Sequence, residues 1–409
     1  MTDFPLPLVE LLGQNGAFFI YLLVGLAFGA TLETAGFGNS KKLAAQFYFK
    51  DLTVFKVMFT AIIVAMTLIF LSSAIGLLDF NLLWVPPTYL WPGIVGGLIM
   101  GVGFIVGGFC PGTSLVAMAT GKVDGLFFVL GVLAGIFLFG ETVSQFAVFF
   151  ESSFMGRFTL PELFGVSYGT VVVSVVVMAL FLFWGAEKIE AATKGETAMK
   201  APSWAVPAAT GLVVLAVVAM VIGQPTNADR WEMIEAEQSV LLDERSVQIE
   251  PAELFGLMHD SQIKAIMIDV RDERHYNQFH IHNAKLVPME QLTEISDQLI
   301  QEPANTVFIT MSNDEGRATE AWKILKAESL PNVYILEGGV NNWLRTYGDH
   351  DFVEENYLAN HENDQPAFRF DFAIGSRHPA AEPIAHSEVE FEPKVKLELK
   401  RAPTGGGCG

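Results

Sequence analysis

The eight residues Gly107-Gly108-Phe109-Cys110-Pro111-Gly112-Thr113-Ser114 concentrate more chemistry than any other stretch of this 409-residue chain. They interrupt an apolar segment. Proline lacks an amide hydrogen and favours the first turn of a helix. One half-helix should therefore end near Gly108 and another begin at Pro111. That start would present the amides of Gly112, Thr113 and Ser114, two hydroxyls and the positive end of a helix dipole, an arrangement that binds anions. Cys110 stands at the mouth of the break. Its thiol is a soft, weak donor suited to sulfur-containing anions; the plainer role is that of a small residue packed between two helices.

The other cysteine, Cys408, lies in Pro403-Thr404-Gly405-Gly406-Gly407-Cys408-Gly409. A lone thiol on a glycine hinge reads as a mobile sulfur acceptor, as a covalent link, or as an incidental exposed group. Two cysteines so placed are no disulfide framework. Carboxylates inside apolar spans are costly and functional by default. Glu33 could line an ion route or hold a coupling cation, and an anion route would favour its protonated form. Glu141 reads as an interfacial residue of a long span. His259, His275, His280 and His282 form no metal-ligand spacing with a cysteine, and no cofactor motif is read.

These residues must be positioned by two kinds of element. Residues 1–225 hold 9 Lys/Arg and 12 Asp/Glu, and residues 226–409 hold 16 and 33, so the formal charge of −20 divides into −3 and −17. The first part is a membrane domain and the second an acidic soluble one, unsuited to nucleic acid or anionic lipid. Six stretches are apolar and long enough to span the bilayer, at about 16–37, 55–78, 89–109, 124–150, 166–186 and 203–223. Asp3 and Glu10 exclude a secretory signal.

Shifting the sequence by 72 residues lays Gly25–Phe55 on Gly97–Phe127 with nine identities in 31 positions, among them Gly36 with Gly108 and Phe37 with Phe109. The matched glycines flank the same kind of interruption, so two hairpins, 16–78 and 89–150, repeat one broken-helix plan. Interrupted helices in matching places mark transporters whose site lies at the repeat interface near the bilayer midplane. In the first copy the interruption reads Gly36-Phe37-Gly38-Asn39-Ser40, with Gly38 opposite Cys110.

Lys41, Lys42, Lys50, Lys56, Lys122, Lys188, Lys194 and Lys200 fall in alternate loops, and the opposite loops 79–88 and 151–165 offer only Arg157. The positive-inside rule places the lysines in the cytoplasm of a bacterium and the soluble domain in the periplasm. A re-entrant half-helix at either interruption would reverse that side.

The Gly-Gly-Phe-Cys-Pro-Gly-Thr pattern, the following Ala-x-x-x-Gly and the degenerate earlier copy resemble the YeeE/YedE family of membrane proteins. The resemblance covers roughly residues 20–150. It implies a helical, channel-like transporter of thiosulfate or a related anion, in which cysteines at two constrictions hand the substrate on through S–H hydrogen bonds. Only Cys110 carries over. A thiol relay therefore needs a partner chain or a second copy, or Asn39 and Ser40 replace thiols with ordinary donors, or the substrate differs.

Residues 246–350 alternate strands (Ala265–Val270, Thr306–Met311, Val333–Leu336) with a helix at Glu315–Ala327, giving a small α/β domain with a parallel sheet. Asp269-Val270-Arg271, Tyr276, His280-Ile281, Ala284, Val287-Pro288 and Glu337-Gly338-Gly339-Val340-x-x-Trp343 resemble a rhodanese domain. The resemblance implies a sulfur-carrying cysteine at the head of a loop, and counting back from Arg317 puts Ser312 there. A serine hydroxyl forms no persulfide. The loop Ser312, Gly316, Arg317 then implies a binding or docking module, with anion sensing through loop amides and Arg317 as one option. Residues 226–245 read as a linker and 351–409 as an acidic, largely extended tail.

Together these readings point to inner-membrane passage of a small sulfur anion through Cys110, Gly112, Thr113, Ser114, Asn39, Ser40 and Glu33, without sulfurtransferase activity. The alternative is an accessory subunit whose soluble part docks a protein partner.

Overall fold

A computed structural model describes residues 4–194, 203–384 and 389–398. The chain forms two compact units that divide between Gln224 and Pro225.

The membrane unit contains six helical stretches long and apolar enough to cross a bilayer. The first repeat consists of α1 (Leu8–Thr34), a short α2 (Ser40–Ala45) and α3 (Thr53–Ala74). The second repeats the plan with α4 (Leu90–Gly107), α5 (Pro111–Ala119) and α6 (Val123–Thr142). Short α7 (Ala147–Phe150) and α8 (Leu160–Phe164) lead to α9 (Tyr168–Lys194) and α10 (Ala205–Ile222).

Each repeat closes on itself. Phe4 N donates to Leu77 O at 3.1 Å and Asp79 N to Phe4 O at 3.0 Å, so the chain before α1 meets the chain after α3. In the second repeat Thr88 N donates to Gly156 O at 2.8 Å and Met155 N to Thr88 O at 2.9 Å. Between repeats the short helices exchange partners, α2 packing on α4 and α5 on α1. Phe37, Leu43, Val54, Phe109 and Ala117 form one buried cluster at that junction. A separate core of Ile63, Val172, Val176, Ala179 and Ala216 binds α3, α9 and α10 into a bundle.

The helix interruption is present in both copies. The 18 residues of α4 already extend about 27 Å at 1.5 Å per residue, close to the roughly 30 Å of hydrocarbon. The apolar segment does not stop at the break, since Leu90–Ala119 together form one candidate span. Nor does α5 turn back. The end of α4, at Gly107, lies against Phe128, and Ala117 of α5 lies against Gly125. Passing from α4 to α5 thus moves toward the start of α6, so the segment keeps its direction and the number of crossings stays at six.

The soluble unit has a five-stranded, fully parallel sheet in the order β1-β5-β4-β2-β3. Its strands are β1 (Gln248–Ile249), β2 (Lys264–Asp269), β3 (Lys285–Leu286), β4 (Thr306–Met311) and β5 (Val333–Leu336). Around them lie α11 (Asn227–Asp243), α12 (Pro251–His259), α13 (Glu273–Gln278), α14 (Leu292–Leu299), α15 (Gly316–Ala327), α16 (Gly339–Tyr347) and α17 (His350–Asn356). Every residue of β4 and β5 is buried, which is why those stretches read as unbroken apolar runs.

Two segments differ from the sequence expectation. Residues 226–245 are no linker: Thr226 and Asp229 cap α11 reciprocally, Trp231 stacks edge-on against Trp322 at 6.1 Å, and Arg230 pairs with the buried Glu328. Nor do the described residues of the 351–409 tail run loosely over the surface. Ala367, Phe368, Ala380 and Ala381 complete the core, and Trp343 Nε1 donates to Ala380 O at 2.6 Å. Farther on, Glu253 Oε1 accepts from Lys394 N at 2.8 Å and Val395 N at 2.7 Å. An acidic average hid a few apolar anchors, and anchors rather than averages decide whether a segment orders.

Candidate functional site

The break in the second repeat is built from local rules. Gly108 stops α4 in the left-handed conformation (φ +72°), its N–H donating to Phe104 O at 2.8 Å. A side chain there would also press on Ser40, since a Cβ would lie 3.0 Å from both the Cβ and the carbonyl oxygen of that residue. Cys110 is the N-cap of α5 and Pro111 its first residue. Cys110 N donates to Thr113 Oγ1 at 3.0 Å, while Cys110 Sγ accepts from Thr113 N at 3.4 Å. The Thr113 hydroxyl is 3.2 Å from Cys110 O and 3.3 Å from Cys110 Sγ, so its single hydrogen serves one or the other.

This cap changes the inventory of free donors. The Thr113 amide is held by the thiol, Ser114 N donates to Cys110 O at 3.0 Å, and the buried Ser114 hydroxyl donates to Pro111 O at 2.7 Å. The expectation of three free amides and two free hydroxyls is therefore corrected. Among the described residues, the Gly112 amide and the Cys110 S–H are the donors of this turn not seen to bond within it. Cys110 is half-buried, with its sulfur lone pairs turned into the cap.

The first repeat stops at Gly36 (φ +84°), and α2 starts one residue later than the repeat alignment implies, with Asn39 rather than Gly38 as its N-cap. Asn39 Oδ1 accepts from Lys41 N at 3.0 Å and Lys42 N at 3.4 Å. Ser40 Oγ donates to Asp124 Oδ2 across the repeat interface at 2.9 Å. The Ser40 hydroxyl is thus spent on Asp124, and Asn39 uses its carbonyl oxygen to cap the helix. Glu33 is not an isolated acid: its carboxylate takes Lys122 Nζ at 3.0 and 3.3 Å, a second bridge between the copies. Lys42 Nζ donates to Ala35 O at 3.1 Å. Sequence reasoning used Lys122 in the repeat alignment and to orient the chain, and it missed the pairing with Glu33 and the role of Asp124. The signal was there, because Lys122 aligns with Lys50 in the repeat.

In the soluble unit the loop after β4 is closed by its own chain. Ser312 is fully buried; its hydroxyl donates to Asp314 O at 3.3 Å and accepts from Ala318 N at 3.2 Å. Asp314 N donates to Asp364 Oδ1 at 2.9 Å, and Asp364 N returns a bond to Asp314 Oδ2 at 3.0 Å. Asn313 Nδ2 reaches Asp364 O at 2.8 Å, and Asn341 Nδ2 reaches Asp314 Oδ1 at 2.8 Å. Asp364, itself left-handed at φ +57°, also stands over Gly316. Arg317 pairs with Asp272 at 2.7 Å, and that guanidinium holds the Asp272 carboxyl below its ordinary range. Burial pushes the neighbouring His275 imidazole down. Of the groups expected to sense an anion, the Asp314 amide is held by Asp364 and Arg317 is paired with Asp272 at the surface.

Beneath the loop, Asp269 and Arg271 form a buried pair at 2.6 Å, and Arg271 also donates to Phe279 O at 2.8 Å. The Asp-Val-Arg motif is thus a strut. Cys408 lies outside the described residues, as does Lys200.

A family model described as sulphur transport matches residues 34–240, spanning both helix breaks and Cys110. A second, described as a rhodanese-like domain, matches residues 250–346. No curated protein and no solved structure matches the chain.

Proposed function

We propose, since this chain belongs to the sulphur transport family and carries a rhodanese-like domain in its soluble part, that it passes thiosulfate or a closely related small sulfur anion across the bilayer. The observation that carries this reading is the cap of α5. Turning the lone pairs of Cys110 Sγ toward Thr113 leaves the thiol as a donor, beside the free Gly112 amide and the helix dipole. A soft S–H donor and a hard N–H donor side by side suit an anion with one sulfur end and one oxygen end. Ser114, Thr113, Asn39 and Ser40 act one step back, fixing the cap and the repeat interface.

The soluble unit works in this reading without sulfur transfer. Ser312 has no thiolate to form a persulfide, and the Asp364 carboxylate holds the loop amide that an anionic donor would need. It serves as a docking module. The protein sits in a bacterial inner membrane, its lysine-rich loops in the cytoplasm and the soluble unit in the periplasm.

One observation favours a second reading, that of an accessory subunit. Gly93, Gly96, Gly97, Gly101 and Gly103 of α4, and Gly131, Gly135 and Gly140 of α6, have no heavy atom near the place a Cβ would take. Faces so bare suit close helix contact with another membrane chain. Uptake of labelled thiosulfate by cells separates the two. Transport predicts that Cys110→Ala lowers uptake at unchanged membrane abundance; an accessory role predicts no uptake defect and co-purification with further subunits.

A further inference from the structure

The second repeat offers a thiol at Cys110, and the shift of 72 residues lands on Gly38 in the first. The volume a side chain would fill at Gly38 is not open space. A Cβ there would meet Lys122 Nζ at 2.7 Å and collide with the Glu33 carboxylate. Glu33 stands in the last turn of α1, and Lys122 is the N-cap residue of α6. An ion pair joining the two repeats thus occupies the place where the first copy would carry its own thiol. The pair is accessible, with 36% and 39% of the two side chains exposed. Of the neighbouring charges, Asp124 is held by the Ser40 hydroxyl and Lys42 by the Ala35 carbonyl.

We propose that the Lys122 ammonium is the first repeat's anion-binding group, standing in for a thiol, and that Glu33 is a tethered counter-anion which the transported anion displaces. The inference rests on the transport reading above. A half-exposed pair is worth little in water, so exchanging one anion for another on the same ammonium is nearly balanced, and a doubly charged substrate is favoured over a carboxylate. The exchange keeps a charge partner on Lys122 in both states. Because Glu33 competes from within, it lowers the apparent affinity by the fraction of time it holds the ammonium. A side chain at position 38 would have to displace the tips of Glu33 and Lys122 to be accommodated.

The test is initial-rate uptake of radiolabelled thiosulfate by cells producing the full chain, with membrane levels matched by immunoblot. Lys122→Gln should raise KM about tenfold or more, the loss of one charged hydrogen-bond donor, while Lys122→Arg should stay near wild type. Glu33→Gln frees the ammonium and should lower KM about threefold, a shift that a purely structural bridge would not give. An unchanged KM in Lys122→Gln, or a KM raised in both single variants, overturns the proposal. Should Lys122→Gln fail to reach the membrane, Glu33→Gln decides alone: a lowered KM supports the exchange, and an unchanged or raised one refutes it. Absence of saturable uptake by wild type removes the transport reading as well. Uptake that depends on Cys110 but ignores Lys122 and Glu33 removes this inference only.

Discussion

At the scale of single residues, Cys110 does two things with one atom. Its sulfur accepts the Thr113 amide and so caps a helix, and in the proposed reading its hydrogen serves the anion. Replacing it should therefore separate folding from function. Cys110→Ser retains an N-cap acceptor and an O–H donor, whereas Cys110→Ala removes both. Initial rates of thiosulfate uptake should fall about 10- to 100-fold in the alanine variant, the worth of a hydrogen bond to a charged group, and less in the serine variant. Equal loss in both would mean that the sulfur acts by its polarisability or covalent chemistry instead. In the soluble unit, restoring a cysteine should not restore sulfur transfer. Ser312→Cys alone still meets the Asp364 carboxylate on the Asp314 amide, so thiocyanate formation from thiosulfate and cyanide is expected only when Asp364→Gly is added. Activity in the single variant would sink that account. The helix break at Cys110 and the serine at 312 were legible in sequence. The engagement of Thr113, Ser114, Asn39 and Ser40 was not, because short polar side chains choose between a ligand and their own backbone by rotamer.

At the scale of elements, the segment after α16 behaves as part of the domain. Phe352, Phe368, Phe370 and His378 form an aromatic group against Phe279. Ending the chain at Asp349 should remove that group and uncover Trp343, costing more than about 3 kcal/mol at 1.5–3 kcal/mol per large apolar side chain. Chemical unfolding of the soluble unit in the full and shortened chains would measure it, and equal midpoints would contradict the packing described. His378 makes this element pH-sensitive. Burial pushes its imidazole below the ordinary value of 6.5, and its Nδ1 accepts from Ala380 N at 3.1 Å, which requires the neutral ring. The unfolded chain binds the proton more readily, so stability is complete above 6.5 and falls as the pH drops through the depressed folded value. The soluble unit should therefore unfold more easily at pH 5 than at pH 7.5, and His378→Asn, which keeps an acceptor, should show the smaller loss. The strands, the repeat and the cysteine break were legible because buried runs and glycine stops leave local marks. The cap at Asn39, the helix over 227–243 and the ordering of residues 357–384 were not, since each depends on partners distant in sequence.

At the scale of the whole molecule, two closed hairpins exchange their short helices and are bridged by Glu33–Lys122 and Ser40–Asp124. The number of crossings was legible from hydropathy. The bridges between the repeats were not, because each joins residues more than 80 positions apart. Six crossings with lysines on one side predict that external protease degrades the soluble unit in spheroplasts and spares it in inside-out vesicles; the opposite pattern would reverse the proposed orientation.

The central claim, that this chain itself conducts a sulfur anion past Cys110, is tested most directly by purified full-length protein in proteoliposomes loaded with buffer and given radiolabelled thiosulfate outside. The account predicts saturable accumulation that Cys110→Ala reduces to near the level of empty vesicles. Accumulation identical in the two proteins, or none in the wild type, would contradict it.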